Sequence, residues 1–135
     1  MRVRLAAALL AVFALAGCTQ STTSSDTNFA GEEQRVADAV GDLQDAGQNS
    51  KPADICDNLL APVLKARMAA GTSSCADELK KAIEDTDGFD LEVTDVSVDG
   101  ATATARVRSQ NPGKDVVRTF ELARRSGGWR FTSFG

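Results

Sequence analysis

The spacing of apolar residues in this chain changes once, near Phe89, and that change constrains the fold more than any other feature. Before it, large apolar residues recur at intervals of three and four; after it they alternate. Phe29, Val36, Val40 and Leu43 recur at helical spacing with Glu32, Glu33, Arg35, Asp38 and Asp42 between them, and Gly47 supplies a stop signal. Pro52 suits a first helical turn. Ile55, Leu59, Leu60, Val63, Leu64 and Met68 then form a second apolar face, and Pro62 inside it predicts two short helices joined at a kink, closed by Gly71. Ser74 has the chemistry of an N-cap, with Asp77 and Glu78 in the favourable first turn. Cys75, Leu79 and Ile83 share one side of this third helical segment, and Gly88 ends it.

From Phe89 onward the period is two. In "LEVTDVSV", Leu91 and Val93 are out of phase with Val96 and Val98, which predicts a bulge near Thr94-Asp95. Asp99-Gly100 reads as a two-residue hairpin turn. Ala101, Ala103, Ala105 and Val107 then face one way, and Thr102, Thr104, Arg106 and Arg108 the other. "NPGK" is a looser turn, "VVRTFELA" a third strand, "SGG" another turn and "WRFTSF" a fourth strand. Helices followed by an antiparallel meander define an α+β domain over residues 29–135, and an apolar content of 42% over the whole chain suits one small core.

The start of the chain has a different character. Arg2 and Arg4 precede an apolar run from Leu5 to Gly17 that is well short of the roughly 20 residues of a bilayer-spanning helix. A basic start, an apolar middle and a small-residue exit are the layout of a secretory signal peptide, here residues 1–17. Leu15-Ala16-Gly17-Cys18 also resembles the lipobox of bacterial lipoproteins. The resemblance implies a diacylglyceryl group on the Cys18 thiol, cleavage just before Cys18, and attachment to the outer face of the cytoplasmic membrane or elsewhere in the envelope. Residues 18–28, "CTQSTTSSDTN", carry no large apolar side chain and read as a flexible tether.

Removing residues 1–17 takes the 15 basic residues to 13 against 19 acidic ones, a net charge of −6. That balance argues against nucleic acid, whose binders cluster Lys and Arg against phosphates. The close basic pair Arg124-Arg125 lies beside a turn and reads as a solvated strand end. An acidic domain is also weakly repelled by an anionic bilayer, which leaves the lipid on Cys18 as the membrane attachment.

The order of elements, with "VTDVSVDGATATARV" followed by "RTFELARRSGGWRFTSF", resembles the nuclear transport factor two-like superfamily, in particular its small secreted bacterial lipoproteins. The resemblance implies N-terminal helices packed in the concave face of a curved antiparallel four-stranded sheet, a cone that often encloses a pocket. Its inward candidates are Val98, Ala103, Ala105, Val107, Phe120, Leu122, Trp129 and Phe131, which either line a ligand cavity or pack as core. The superfamily often dimerises through its open sheet face, so a homodimer through the Thr and Arg face is a further expectation.

Cys56 and Cys75 are a pair in a chain read as exported, which favours a disulfide clipping the third helical segment to the second. Two cysteines without histidine serve a metal poorly, and the spacing is not Cys-x-x-Cys. "EDTDGFD" matches the middle of a calcium loop, but Ile83 and Thr94 stand where its two essential carboxylates belong. Gly127-Gly128 lacks the strand-loop-helix setting of a phosphate cradle. No metal or cofactor is expected.

Catalysis depends on residue types that this chain lacks. With neither histidine nor tyrosine in the chain, the histidine-aspartate and aspartate-tyrosine sets of enzymes on this fold cannot be assembled. A lone carboxylate such as Asp95 would need burial and an opposing donor. The expectation is a lipid-anchored, extracytoplasmic, non-catalytic binding or accessory module of the bacterial cell envelope, its partner unspecified and an envelope protein one candidate. A carrier of a small apolar ligand is the alternative, and a weak lyase or isomerase the third reading.

Overall fold

The computed structural model describes residues 29–71, 73–86, 89–111 and 114–135. Helix α1 spans Glu32–Gln48; α2, Pro52–Asp54, runs into a π-helical segment, Ile55–Leu59; α3 is Pro62–Met68 and α4 Cys75–Glu84. Strands β1 (Leu91–Asp99), β2 (Thr102–Asn111), β3 (Lys114–Arg125) and β4 (Gly128–Ser133) follow as one antiparallel sheet in the order β1-β2-β3-β4. The chain is α+β, with the helices on one face of the sheet. Among the described residues, no helix is long and apolar enough to cross a membrane.

Helix α1 buries Val36, Ala39, Val40, Leu43 and Gly47, the stripe its spacing demands. Gly47 is not its stop. It lies inside the last turn, where a Cβ would fall 2.7 Å from Cγ of the Phe89 ring, so glycine admits the segment leading into β1. The helix closes three residues later. Ser50 N–H bonds the Gly47 carbonyl at 3.1 Å and Lys51 N–H that of Ala46 at 2.9 Å, a Schellman closure with Ser50 at the left-handed position, φ 53°.

Pro62 does split the second helical region. Leu60 turns extended (φ −87°, ψ 140°), and α3 restarts at Pro62 with a shifted phase. The restart leaves Val63 outside, 51% exposed, although its spacing placed it on the apolar face. The extended link has its own use. Leu60 bridges Phe131 in parallel and Ala61 N–H donates to the Phe131 carbonyl at 2.8 Å, covering the outer edge of β4. Helix α4 begins with a capping box: Asp77 N–H donates to Ser74 Oγ at 3.2 Å, and the Asp77 carboxylate accepts from Ser74 N–H. Gly88 lies outside the described residues.

The register of β1 slips between Val93 and Asp95, so Val93 pairs with Val107 and Val96 with Ala105. The bulge turns both out-of-phase pairs, Leu91/Val93 and Val96/Val98, to the helix side, where all four pack on the core. The first hairpin turn sits one residue later than the Asp-Gly signal implied. Asp99 pairs with Thr102, the turn is Gly100-Ala101 with Gly100 at φ 58°, and Ala101 is exposed in it rather than facing inward. Between β2 and β3, Asn111 pairs with Lys114. The opposite face of the sheet, with Thr102, Thr104 and Arg106, is exposed.

A serine held in the left-handed region carries backbone strain that glycine does not. Ser50→Gly is therefore expected to raise stability by about 0.5–1 kcal/mol, read as an upward shift of the denaturation midpoint at unchanged m-value.

Candidate functional site

Cys18, with the rest of residues 1–28, lies outside the described residues. The other two cysteines form a disulfide: Cys56 and Cys75 are joined with their Cα atoms 6.2 Å apart. The π-helical turn carries Ile55 and Cys56 inward together, 0% and 3% exposed, while the capping box fixes the first turn of α4, where Cys75 stands. The bond ties α4 to the segment ahead of α3.

Seven of the eight inward candidates, Ala103, Ala105, Val107, Phe120, Leu122, Trp129 and Phe131, are buried in one continuous cluster with Val36, Val40, Leu43, Ile55 and Leu64. Val98 packs against that cluster and is half-buried. Phe120 and Phe131 meet edge to face at 5.9 Å, and Phe134 closes on both, at 5.2 and 5.3 Å. Asp95 is not among them. It is exposed just past the bulge, opposite Arg106.

A polar cluster stands at the end of this core where β3, β4 and the start of α1 meet. The buried indole of Trp129 donates from Nε1 to Glu32 Oε2 at 3.0 Å, and Arg124 Nη2 is ion-paired with the same oxygen at 2.7 Å. Arg35 reaches Glu32 Oε1 at 2.8 Å, and the Arg124 guanidinium lies 5.1 Å above the Trp129 ring. Arg124 and Trp129 are cross-strand partners on the helix side of the sheet, so the turn at Ser126-Gly127 presents both to the first residue of α1. Arg124 is thus engaged rather than merely solvated. Helical spacing had placed Glu32 only on the polar side of α1. The one signal for its role was the lone tryptophan, whose indole N–H requires an acceptor when buried.

The Trp129 hydrogen bond, then the charges of Arg124 and Arg35, hold the Glu32 carboxyl below its ordinary 4.5. The Asp77 carboxyl is likewise held below 3.8 by hydrogen bonds from Ser74. Of the "EDTDGFD" segment, Asp87 and Gly88 lie outside the described residues. Among the described residues, no three Cys, Asp or Glu side chains gather in a group able to hold a metal. No family model, no curated protein and no solved structure matches the chain.

Two measurements probe these arrangements. Replacing both Cys56 and Cys75 with alanine is expected to lower stability by about 2–4 kcal/mol, and neither thiol of the oxidised protein should alkylate before reduction. For Glu32 the carboxyl is depressed on folding, so its contribution is present above 4.5 and fades as pH falls through the folded value. Glu32→Gln should therefore destabilise the protein near neutral pH and converge with the parent below that window, in denaturation midpoints taken from about pH 6 to about pH 3.

Proposed function

We propose that this chain is a lipid-anchored extracytoplasmic module of the bacterial envelope, non-catalytic, on a nuclear transport factor two-like fold whose curved sheet wraps its helices. It would serve by binding or assisting another envelope component. The observation that carries this reading is the packing of the eight inward candidates. Val107, Leu122 and Phe131 are at most 2% exposed, and Trp129 spends its indole N–H on Glu32 rather than offering it to a guest. A chain anchored by lipid and filled with its own side chains acts through its surface.

The residue inventory supports the non-catalytic part. The chain has no histidine or tyrosine to act as base or donor, and Asp95, the carboxylate candidate, stands in water on the sheet face. The acidic balance beyond Gly17 agrees with a domain held at a membrane by acyl chains, each buried methylene contributing about 0.8 kcal/mol, rather than by charge.

Cys18→Ser tests the anchor: the variant should leave the membrane fraction or persist as an uncleaved precursor. Fractionation and migration like the parent would overturn the lipoprotein reading. The tryptophan tests the packed core. Trp129 fluorescence should resist small neutral quenchers and show no saturable change with an apolar dye; a one-to-one saturable response would instead support a carrier of a small apolar ligand.

A further inference from the structure

The surface on which such a module would act can be narrowed. Between α1 and β1 runs an open groove of about 880 Å³, floored by Phe29, Ala37, Leu91 and Val93 and rimmed by Asp38, Asp42, Asp45 and Glu92. Three properties of this groove point to one kind of occupant.

Its inner wall is a free strand edge. β1 is the outermost strand, and Leu91 N–H, pointing away from β2, is taken by Gln44 Oε1 at 2.6 Å. By antiparallel alternation Val93, two residues on and ahead of the register slip, directs its N–H and C=O the same way, and among the described residues no side chain and no backbone group outside the sheet bonds them. That is the requirement for adding an extended segment to the sheet. Across from it, Gly41 sits exposed in the middle of α1, with nothing within 4 Å of where a Cβ would stand. Glycine is the least favourable helix-interior residue after proline, and here no close neighbour demands it. Its effect is to keep the helix wall low beside the edge.

The rim selects for charge. Asp38, Asp42 and Asp45 follow one another at i+4 and i+3 along one face of α1, a repulsive spacing, and among the described residues no Lys or Arg pairs with any of them. Glu92 is shared with Arg108 at 3.6 Å, and no basic residue lines the groove. The preceding segment of the same chain does not complement this rim. Residues 18–28 contain Asp26 and neither Lys nor Arg, and a second copy of so acidic a chain brings like charge.

We propose that this groove takes an extended, Lys- or Arg-bearing segment of an envelope protein, added as a further strand to the β1 edge beside the carboxylates of α1. The inference rests on the surface-acting reading above and deepens it by naming the surface and the partner's chemistry.

The test uses the full chain in non-ionic detergent and a synthetic octapeptide of alternating Lys and Val, with an N-methylated copy and a Glu-Val copy as controls. Fluorescence anisotropy should show saturable one-to-one binding of the Lys-Val peptide, and hydrogen exchange should slow at residues 91–94. N-methylation, which removes strand donors, and the combined Asp38→Asn, Asp42→Asn and Asp45→Asn variant should each weaken binding about tenfold. Gly41→Leu should abolish it, with circular dichroism confirming that every variant stays folded. No saturable binding, equal binding of the N-methylated or Glu-Val peptide, an unaffected triple variant or Gly41→Leu variant, or binding without protection at residues 91–94 would each overturn the proposal. Failure here with Cys18→Ser fractionation and Trp129 shielding as expected would remove the groove alone; the anchored, packed module would stand.

Discussion

The two halves of this molecule are held together at Phe131. Its ring is fully buried, the largest side chain so placed, and its carbonyl accepts the N–H of Ala61 from the link between the helical segments. One residue therefore joins the helical layer to the sheet through side chain and backbone together. Burying such a ring contributes about 1.5–3 kcal/mol, and the main-chain bond also covers an edge that would otherwise invite pairing with another chain. Around it Ile55, Val36 and Val40 from the helices meet Leu122, Ala105 and Val107 from the sheet. Small Ala103 and Ala105 leave room on β2 for the large rings of β3 and β4.

A domain of this size needs support at its margins, where the core thins. At one margin the disulfide ties α4 to the π-helical turn, and the capping box orders the turn that carries Cys75. At another, Glu32 gathers Trp129, Arg124 and Arg35 and so locks the start of α1 to the β3-β4 hairpin. At a third, Gln44 and Gln48 reach from α1 to the chain entering β1, Gln44 to Leu91 N–H and Gln48 to the Phe89 carbonyl at 3.0 Å. Apart from the disulfide, each device satisfies a polar group that packing alone would leave bare.

Among the described residues, these supports leave a stretch of the β1 edge open. Beyond Leu91 the edge of β1 passes from the reach of Gln44 to the groove under Asp38, Asp42 and Asp45, while the edge of β4 is closed by Leu60-Ala61. The two ends of the sheet are thus treated differently. Phe29, the first described residue, is part of the groove floor, so in the proposed tethered arrangement the tether would end at that open edge.

Local and periodic features were legible in the amino-acid order. The change of period at Phe89, the bulge after Val93, the split at Pro62, the Ser74 cap and the pairing of Cys56 with Cys75 each follow from neighbouring residues or from chemistry that permits few alternatives. On β2 the inward-facing Ala103, Ala105 and Val107 were legible for the same reason, since alternation assigns a face whatever lies against it. Where a feature depends on what packs across space, the order was silent or misleading. Gly47 reads as a stop but is a contact for Phe89; Val63 reads as buried but is turned out by the restart at Pro62; Glu32 reads as a solvated charge but accepts from Trp129, 97 residues away. The groove belongs to this second class. Its acids are visible in α1 and its alternation in β1, yet only tertiary packing brings the helix beside that strand and leaves the outward side of β1 facing the groove, because periodicity sets which side a residue faces and not which element arrives there.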